Sequence, residues 1–267
     1  MRHAWMLVVS VLVGSGCRDK RPEWTKQPES AMSGDATVLG EPLLVKKLAP
    51  AGGAIVIDGN LDEAAWQSAA AAGPFVAPGE GQVIESHPVK GFARIAYDDS
   101  KLYLGVVVDD RAPFSPFSRD AVDPHIWEQS SAIELMIQPG DPGDNREYYE
   151  IQVDTAGAIF DTRWDDYNRP ITNGPGGEKI FGHMDWSSKL ERAVAIHEKS
   201  KLYSIEIAIP WSSFSSTRVS VPPKPGDVWR LNLYSFREGQ RLALAWSPIK
   251  GQGNFHKASR FGRVRFQ

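Results

Sequence analysis

The strongest pattern in the chain is alternation of apolar and polar positions with a period of two, the signature of half-buried strands. In Lys101–Asp109, Leu102, Leu104, Val106 and Val108 share one face. In Phe92–Tyr97, Ala93, Ile95 and Tyr97 oppose Phe92, Arg94 and Ala96. Ile133, Leu135 and Ile137 alternate with Glu134 and Met136 in the next run, and Tyr149, Ile151 and Val153 with Glu150, Gln152 and Asp154 in the one after it. Leu202–Ile209 sets Tyr203, Ile205, Ile207 and Ile209 opposite Glu206, and Trp229, Leu231 and Leu233 alternate with Arg230, Asn232 and Tyr234. Turn residues separate the runs at Asp98-Asp99, Pro139–Asn145, Gly174–Gly177 and Pro222–Gly226. One apolar and one mixed face per strand is how antiparallel sheets behave when two pack face to face. The pattern predicts an all-β fold, an antiparallel two-sheet β-sandwich with short helical turns. One such turn is expected over Asp62–Ala70, with Asp62 as N-cap. Segments 110–130 and 165–188 are expected to be loops at the rim, where binding residues commonly sit.

The N-terminal end departs from this pattern. Arg2 and His3 precede an apolar run, Ala4 to Val13, broken only by Ser10, and then Gly14, Ser15, Gly16 and Cys17. The run is too short to span a bilayer, which takes about 20 residues. Residues 1–17 read as an export signal of the lipoprotein kind, with Cys17 as the lipidated residue. Arg18 follows the cysteine, so the acidic inner-membrane retention signal is absent, and the expected location is the cell envelope, at the outer membrane or the cell surface. Residues 18–41 are polar, carry Pro22 and Pro28 and lack any period. They read as a flexible linker with a reach of about 25–30 Å. Residues 42–267 show no repeat and no break in composition, and are expected to form one domain.

The 267 residues are 42% hydrophobic and 24% charged, with a net charge of −3, values that exclude wholesale disorder and a polytopic membrane protein. The slight acidic balance removes the basic footprint of a nucleic-acid binder. A single cysteine rules out an internal disulfide and a thiolate metal site. The nine tryptophans are more than such a core requires. Trp66, Trp211 and Trp229 are expected in the core with Phe261 and Phe266. Trp164 and Trp186 flank a glycine-rich loop and are candidates for a groove, and Trp127 stands in a polar loop, an unusual place for a core indole.

Several runs carry a family resemblance. They are Ile57-Asp58-Gly59-Asn60-Leu61-Asp62-Glu63-Ala64-Ala65-Trp66, Ala93–Asp109, Ile126-Trp127-Glu128-Gln129 ahead of the strand Ala132–Ile137, Tyr203–Trp211, and Asn254-Phe255-His256 with Phe261-Gly262. In this order the set resembles the family 9 carbohydrate-binding modules. The resemblance implies a jelly-roll, DOMON-like sandwich that binds sugars without catalysis, between two facing aromatic rings, often with calcium supporting its loops. It places one wall on Trp127 and the second on Phe255, where studied sugar binders carry Trp. The polar shell falls on Glu134 and Gln152, with Gln252 and Asn254 near the second wall. Gln152 stands where some relatives have Arg, and Ser130 where they have Asp. The implied partners are a polysaccharide or oligosaccharide and, through it, glycoside hydrolases; the only membrane contact would be the lipid anchor.

The physics of sugar recognition agrees. A sugar ring has an apolar C–H face and a girdle of hydroxyls, and a rigid indole covers the face at little entropic cost. One stacked ring with a few exposed hydrogen bonds corresponds to micromolar-to-millimolar binding, about 4–8 kcal/mol. Two alternatives stand beside this reading. One is a haem-binding DOMON-type electron-transfer domain, for which His125, Met136, Met184 and His256 are the candidate axial ligands. The other is a structural envelope lipoprotein with a degenerate pocket. Glu134 and Glu150 have the alternate-strand placement of a glycosidase pair, but acids so placed usually form a solvated face. Histidine spacing fits no metal motif. The acidic turns Asp98-Asp99, Asp109-Asp110, Asp141/Asp144 and Asp165-Asp166 fit no EF-hand, so structural calcium rests on the resemblance alone.

Overall fold

The structure is a computed structural model that describes residue 21 and residues 31–49, 53–251 and 253–267. The expected signal peptide with Cys17, most of the linker's N-terminal part and Gln252 lie outside the described residues. In chain order the elements are α1 (Gly34–Leu39), β1 (Leu43–Val45), α2 (Ala64–Ser68), β2 (Ala70–Ala72), β3 (Lys90–Tyr97) and β4 (Lys101–Asp109). There follow α3 (Ile126–Gln129), β5 (Ala132–Gln138), β6 (Arg146–Asp154), β7 (Ile159–Asp166), β8 (Thr172–Asn173), β9 (Lys179–Ile180), β10 (Gly182–His183) and β11 (Glu191–His197). The last are β12 (Leu202–Pro210), β13 (Val228–Phe236), β14 (Leu244–Ala245) and β15 (Gly262–Phe266).

Two sheets carry the fold. One runs β1-β15-β13-β5-β6-β7-β10, with β14 beside β13; the other runs β11-β12-β4-β3-β2. Pairing is antiparallel throughout both sheets except at the edge, where β1 lies parallel to β15. The alternation seen in the sequence decides which side chains meet. Leu102, Leu104, Val106 and Val108, with Tyr203, Ile205, Ile207 and Ile209, face Ile133, Leu135, Ile137, Tyr149, Ile151 and Val153 across the sandwich and are buried together. Burying each such side chain contributes about 1.5–3 kcal/mol. Trp211, Trp229, Phe261 and Phe266 are buried as expected, and so is Trp66.

Each sheet also has a covered outer face. On the β4 side, Leu61, Trp66, Tyr103 and Val107 form a second apolar cluster beneath the segment that leads into α2. That segment is clamped by Glu206, whose carboxylate accepts the backbone N–H of Asp58 (2.8 Å) and Gly59 (2.6 Å) and the Trp66 indole N–H (2.9 Å). Gly59 has φ 93°, and a Cβ there would come within 3.0 Å of the β11 backbone, so glycine is required. The helical turn is shorter than expected. Glu63 takes the N-cap position instead of Asp62 and makes no side-chain cap, because its carboxylate reaches back to the Val56 N–H at 3.0 Å.

Residues 31–40, assigned to the linker on composition, are folded onto the sandwich. Met32 bridges to Ala72, the Trp246 indole donates to the Met32 carbonyl at 2.7 Å, and Thr37 Oγ1 accepts the Arg263 N–H at 2.8 Å. Asp35 of α1 is paired with Lys250 and Arg260. These anchors are single polar groups spread over a segment with little periodicity, which is why alternation did not reveal them. Segment 110–130 contains the short helix α3. Segment 165–188 contains the hairpin β8–β9 and the strand β10.

Candidate functional site

The site is built on the outer face of the larger sheet. Cross-strand register sets Tyr234, Glu134, Gln152 and Phe160 side by side on β13, β5, β6 and β7. The next row on the same face is Asn232, Met136, Glu150 and Thr162, and Tyr148 lies beside Trp164 in the row beyond. Phe160 and Tyr234 are thus three strand spacings apart, about 14 Å. Trp127 of α3 packs edge-on against Phe160 at 4.8 Å between centroids. Phe255 lies parallel on Tyr234 at 4.0 Å. The two aromatic residues named from the sequence therefore bound the first row at its two ends, with Gln152 and Glu134 as the floor between them.

The floor is polar and dry. The Gln152 amide donates to Glu134 Oε2 at 2.9 Å and to Glu150 Oε1 at 2.8 Å. The Trp164 indole donates to Glu150 Oε2 at 3.1 Å. Glu134 and Gln152 are fully buried and Glu150 is 5% exposed. Among the described residues, Glu134 Oε1, Gln152 Oε1 and Thr162 Oγ1 are buried with no hydrogen-bond partner. Each such group costs about 1–3 kcal/mol if left unsatisfied, so this face stores polar capacity beneath α3 and the 253–261 segment rather than at the surface. Burial pushes the Glu134 carboxyl well above the usual range, and the neighbouring Glu150 charge adds to it. Burial likewise raises Glu150 to about 7, against the opposing hydrogen bonds from Gln152 and Trp164. These two acids are therefore not a solvated face. They share one amide and are buried together.

Beside the floor lies an aromatic group that the sequence reading did not assemble. His256 stacks on Tyr167 at 4.3 Å, meets Tyr148 Oη through Nδ1 at 2.6 Å, and has Nε2 3.7 Å from Glu150 Oε2. Burial holds this imidazole down to about 4, so it is neutral at pH 7. A cleft of about 420 Å³ opens above, lined by Trp164, Tyr167, Asn168 and Phe181. Alternation already puts Tyr148, Glu150 and Gln152 on one face of one strand. Tyr167 and Phe181 come from the rim, where no periodic signal exists.

The sequence-predicted residues fare differently. Trp127 is half-buried, and one face of its indole is covered by His125 at 4.5 Å. Glu134 and Gln152 sit together on the floor. Asn254 is exposed, and its amide donates to Tyr167 Oη at 2.5 Å, which places it over the aromatic group. The expectation of Phe255 as a free ring across an open gap is corrected: it is 7% exposed, because Tyr234 offers a flat partner and its hydroxyl donates to the Phe255 carbonyl at 3.2 Å. Of the two groove candidates, Trp164 lines the cleft, whereas Trp186 packs against Tyr149 at 4.8 Å. Ser130 is buried beside Asp154. The haem-ligand candidates are dispersed in role: Met136 is buried in the sheet, Met184 is exposed, His125 pairs with Glu128, and His256 is held by Tyr148.

The implied calcium was tested on the acidic turns. No group of three or more His, Cys, Asp or Glu gathers among the described residues. Asp98 caps its own turn, Asp110 pairs with Arg237, Asp141 with Arg230 and Arg263, Asp144 with Arg218, Asp165 with His183 and Asp166 with Arg146. Their oxygens are already engaged, so these turns do not fit a calcium cage.

Comparison with solved structures places this architecture. A family 9 carbohydrate-binding module from Caldicellulosiruptor kristjanssonii, in complex with cellotriose, is 14% identical with a TM-score of 0.54, over 84% of this chain and 93% of that one. The same organism's module in complex with glucose is 14% identical with a TM-score of 0.51, over 84% and 94%. A protein from Bacteroides uniformis is 17% identical with a TM-score of 0.60, over 84% and 98%. A search of curated proteins found no match. The profile of the carbohydrate family 9 binding domain-like family matches residues 57–267. Through that match, on the same two-sheet sandwich, the chain belongs to the carbohydrate family 9 binding domain-like family, a family of binding domains rather than enzymes.

Proposed function

We propose that this protein binds a hexose unit of a polysaccharide on the outer face of its larger sheet, between Trp127 and the cleft of Trp164, Tyr167 and Phe181. The observation that carries the reading is the open cleft walled by the Trp164, Tyr167 and Phe181 rings beside a buried polar row. The sugar's apolar face rests on the Trp127 indole, and its hydroxyls pair with exposed amides at the rim, Asn168 and Asn254. Phe255, packed on Tyr234, closes the far end as a fixed wall. The ligands of the structural neighbours, cellotriose and glucose, favour glucose-type units. Export and lipid anchoring through Cys17 would hold the module at the envelope, where partner glycoside hydrolases release or expose such chains. Tethering offsets weak single-site affinity by raising effective concentration.

Calorimetric titration with cellotriose tests the reading. Saturable binding in the micromolar-to-millimolar range is expected, weakened at least tenfold by Trp127→Ala with little change in stability, since the ring is half-exposed. Undiminished binding by that variant would remove Trp127 from the site. Detergent-phase partitioning of the expressed protein, lost in Cys17→Ala, tests the anchor.

A further inference from the structure

The cleft beside the floor has a chemistry that neutral hexose binding does not require. Its walls are the rings of Trp164, Tyr167 and Phe181, with Asn168, and no lysine or arginine lines it. One hydrogen bond behind the Trp164 ring lies Glu150, and Glu134 is bridged to Glu150 by the Gln152 amide. Neither acid forms an ion pair with lysine or arginine among the described residues. The nearest basic group, the His256 imidazole, is 3.7 Å from Glu150 and is neutral. Burial holds Glu134 protonated and leaves Glu150 poised near pH 7, so a cation brought into the aromatic enclosure draws the proton off Glu150 and gains a charge partner behind the Trp164 ring. Ring faces attract an ammonium electrostatically, and a carboxylate paired with it no longer bears an uncompensated burial cost.

Resting on the sugar reading above, we propose that the cleft selects hexoses bearing a free ammonium group, that is, amino sugars or a polysaccharide that contains them. The ammonium sits against the Trp164, Tyr167 and Phe181 rings, with Glu150 as the buried carboxyl one hydrogen bond behind the Trp164 ring, while the ring hydroxyls use Asn168 and Asn254 at the rim. Groups facing Glu150 from the surrounding elements are Glu134, Tyr148, Gln152, Trp164, Tyr167, Tyr234 and His256. None of them supplies a competing cation at neutral pH.

The test is a competition series on the full chain at pH 7, titrating glucose, glucosamine and N-acetylglucosamine. Glucosamine is expected to bind at least tenfold tighter than the other two, because N-acetylation keeps the ring and removes the charge. The preference should shrink at high salt and collapse in Glu150→Gln. Tyr167→Leu, a rim substitution, should weaken the preference without unfolding the protein. Equal or tighter binding of glucose would overturn this inference and leave the sugar reading standing. Failure of all three sugars and of cellotriose to bind would overturn both.

Discussion

Replacing Glu150 by Gln should change the pH dependence of stability in a calculable way. The carboxyl is 5% exposed, and burial raises its folded pKa to about 7, from an ordinary value of 4.5. An acid whose folded pKa is raised stabilises the fold fully below its unfolded pKa, and that contribution is lost as pH climbs through the folded value. The shift corresponds to about 3 kcal/mol lost between pH 4.5 and pH 8. His256 works in the opposite sense. Its pKa is lowered from 6.5 to about 4, so its contribution is present above 6.5 and disappears as pH falls toward 4. Between 4.5 and 6.5 the His256 slope offsets that of Glu150, while Glu134 and Glu206, also raised by burial, leave the wild-type protein losing stability as pH rises. Gln offers one acceptor where both Glu150 oxygens accept, so at pH 4 the variant should trail by about 1 kcal/mol. Between pH 4 and pH 8 the difference should move by about 3 kcal/mol in its favour, or roughly 6–12 °C in Tm for a domain of this size. Urea unfolding at half-unit intervals from pH 4 to 8 measures this. A difference that stays constant with pH, or a wild type that is ahead at pH 8, would refute the argument that Glu150 carries a buried and poorly compensated charge. A binding site that stores such a cost is expected to give up stability for function.

Two further outcomes test the frame around the site. Gly105→Ala would set a Cβ 2.1 Å from Leu61 and 3.2 Å from the Trp66 ring, so it should cost about 1–3 kcal/mol by overpacking, read as a lower urea midpoint at an unchanged slope; an unchanged midpoint would contradict the close packing of that face. A chain starting at residue 41 should be less stable by about 2 kcal/mol than one starting at residue 31, because it loses the Met32 carbonyl beneath Trp246 and the Thr37 contact to β15. Equal melting temperatures would return residues 31–40 to the linker.

Much of this architecture is legible in the sequence because the strands are long and their two faces differ. The phase of Leu102 to Val108 and of Tyr149 to Val153 gives the inner core directly. The same phase also puts Glu150 and Gln152 on the outer face, but periodicity treats that face as solvated. It does not register that α3 and the 253–261 segment fold over it and leave Glu134 fully buried. The inward turn of Phe255 depends on Tyr234, a residue from a strand more than a dozen positions earlier, and no local pattern couples the two. Tyr167 and Phe181 reach the cleft through loop geometry alone. The α1 anchor was hidden for a related reason, since its contacts are isolated hydrogen bonds to distant residues.

The central claim is that the outer face between Trp127 and the cleft receives the ligand. Side-chain NMR signals report on it most directly, through the indole N–H groups of Trp127 and Trp164 and the Gln152 amide, during titration with glucose and glucosamine. The account predicts saturable shifts at these three groups, while the indoles of Trp66, Trp211 and Trp246, bonded within the core, stay unmoved. Shifts confined to another region, or none at saturating sugar, would contradict it.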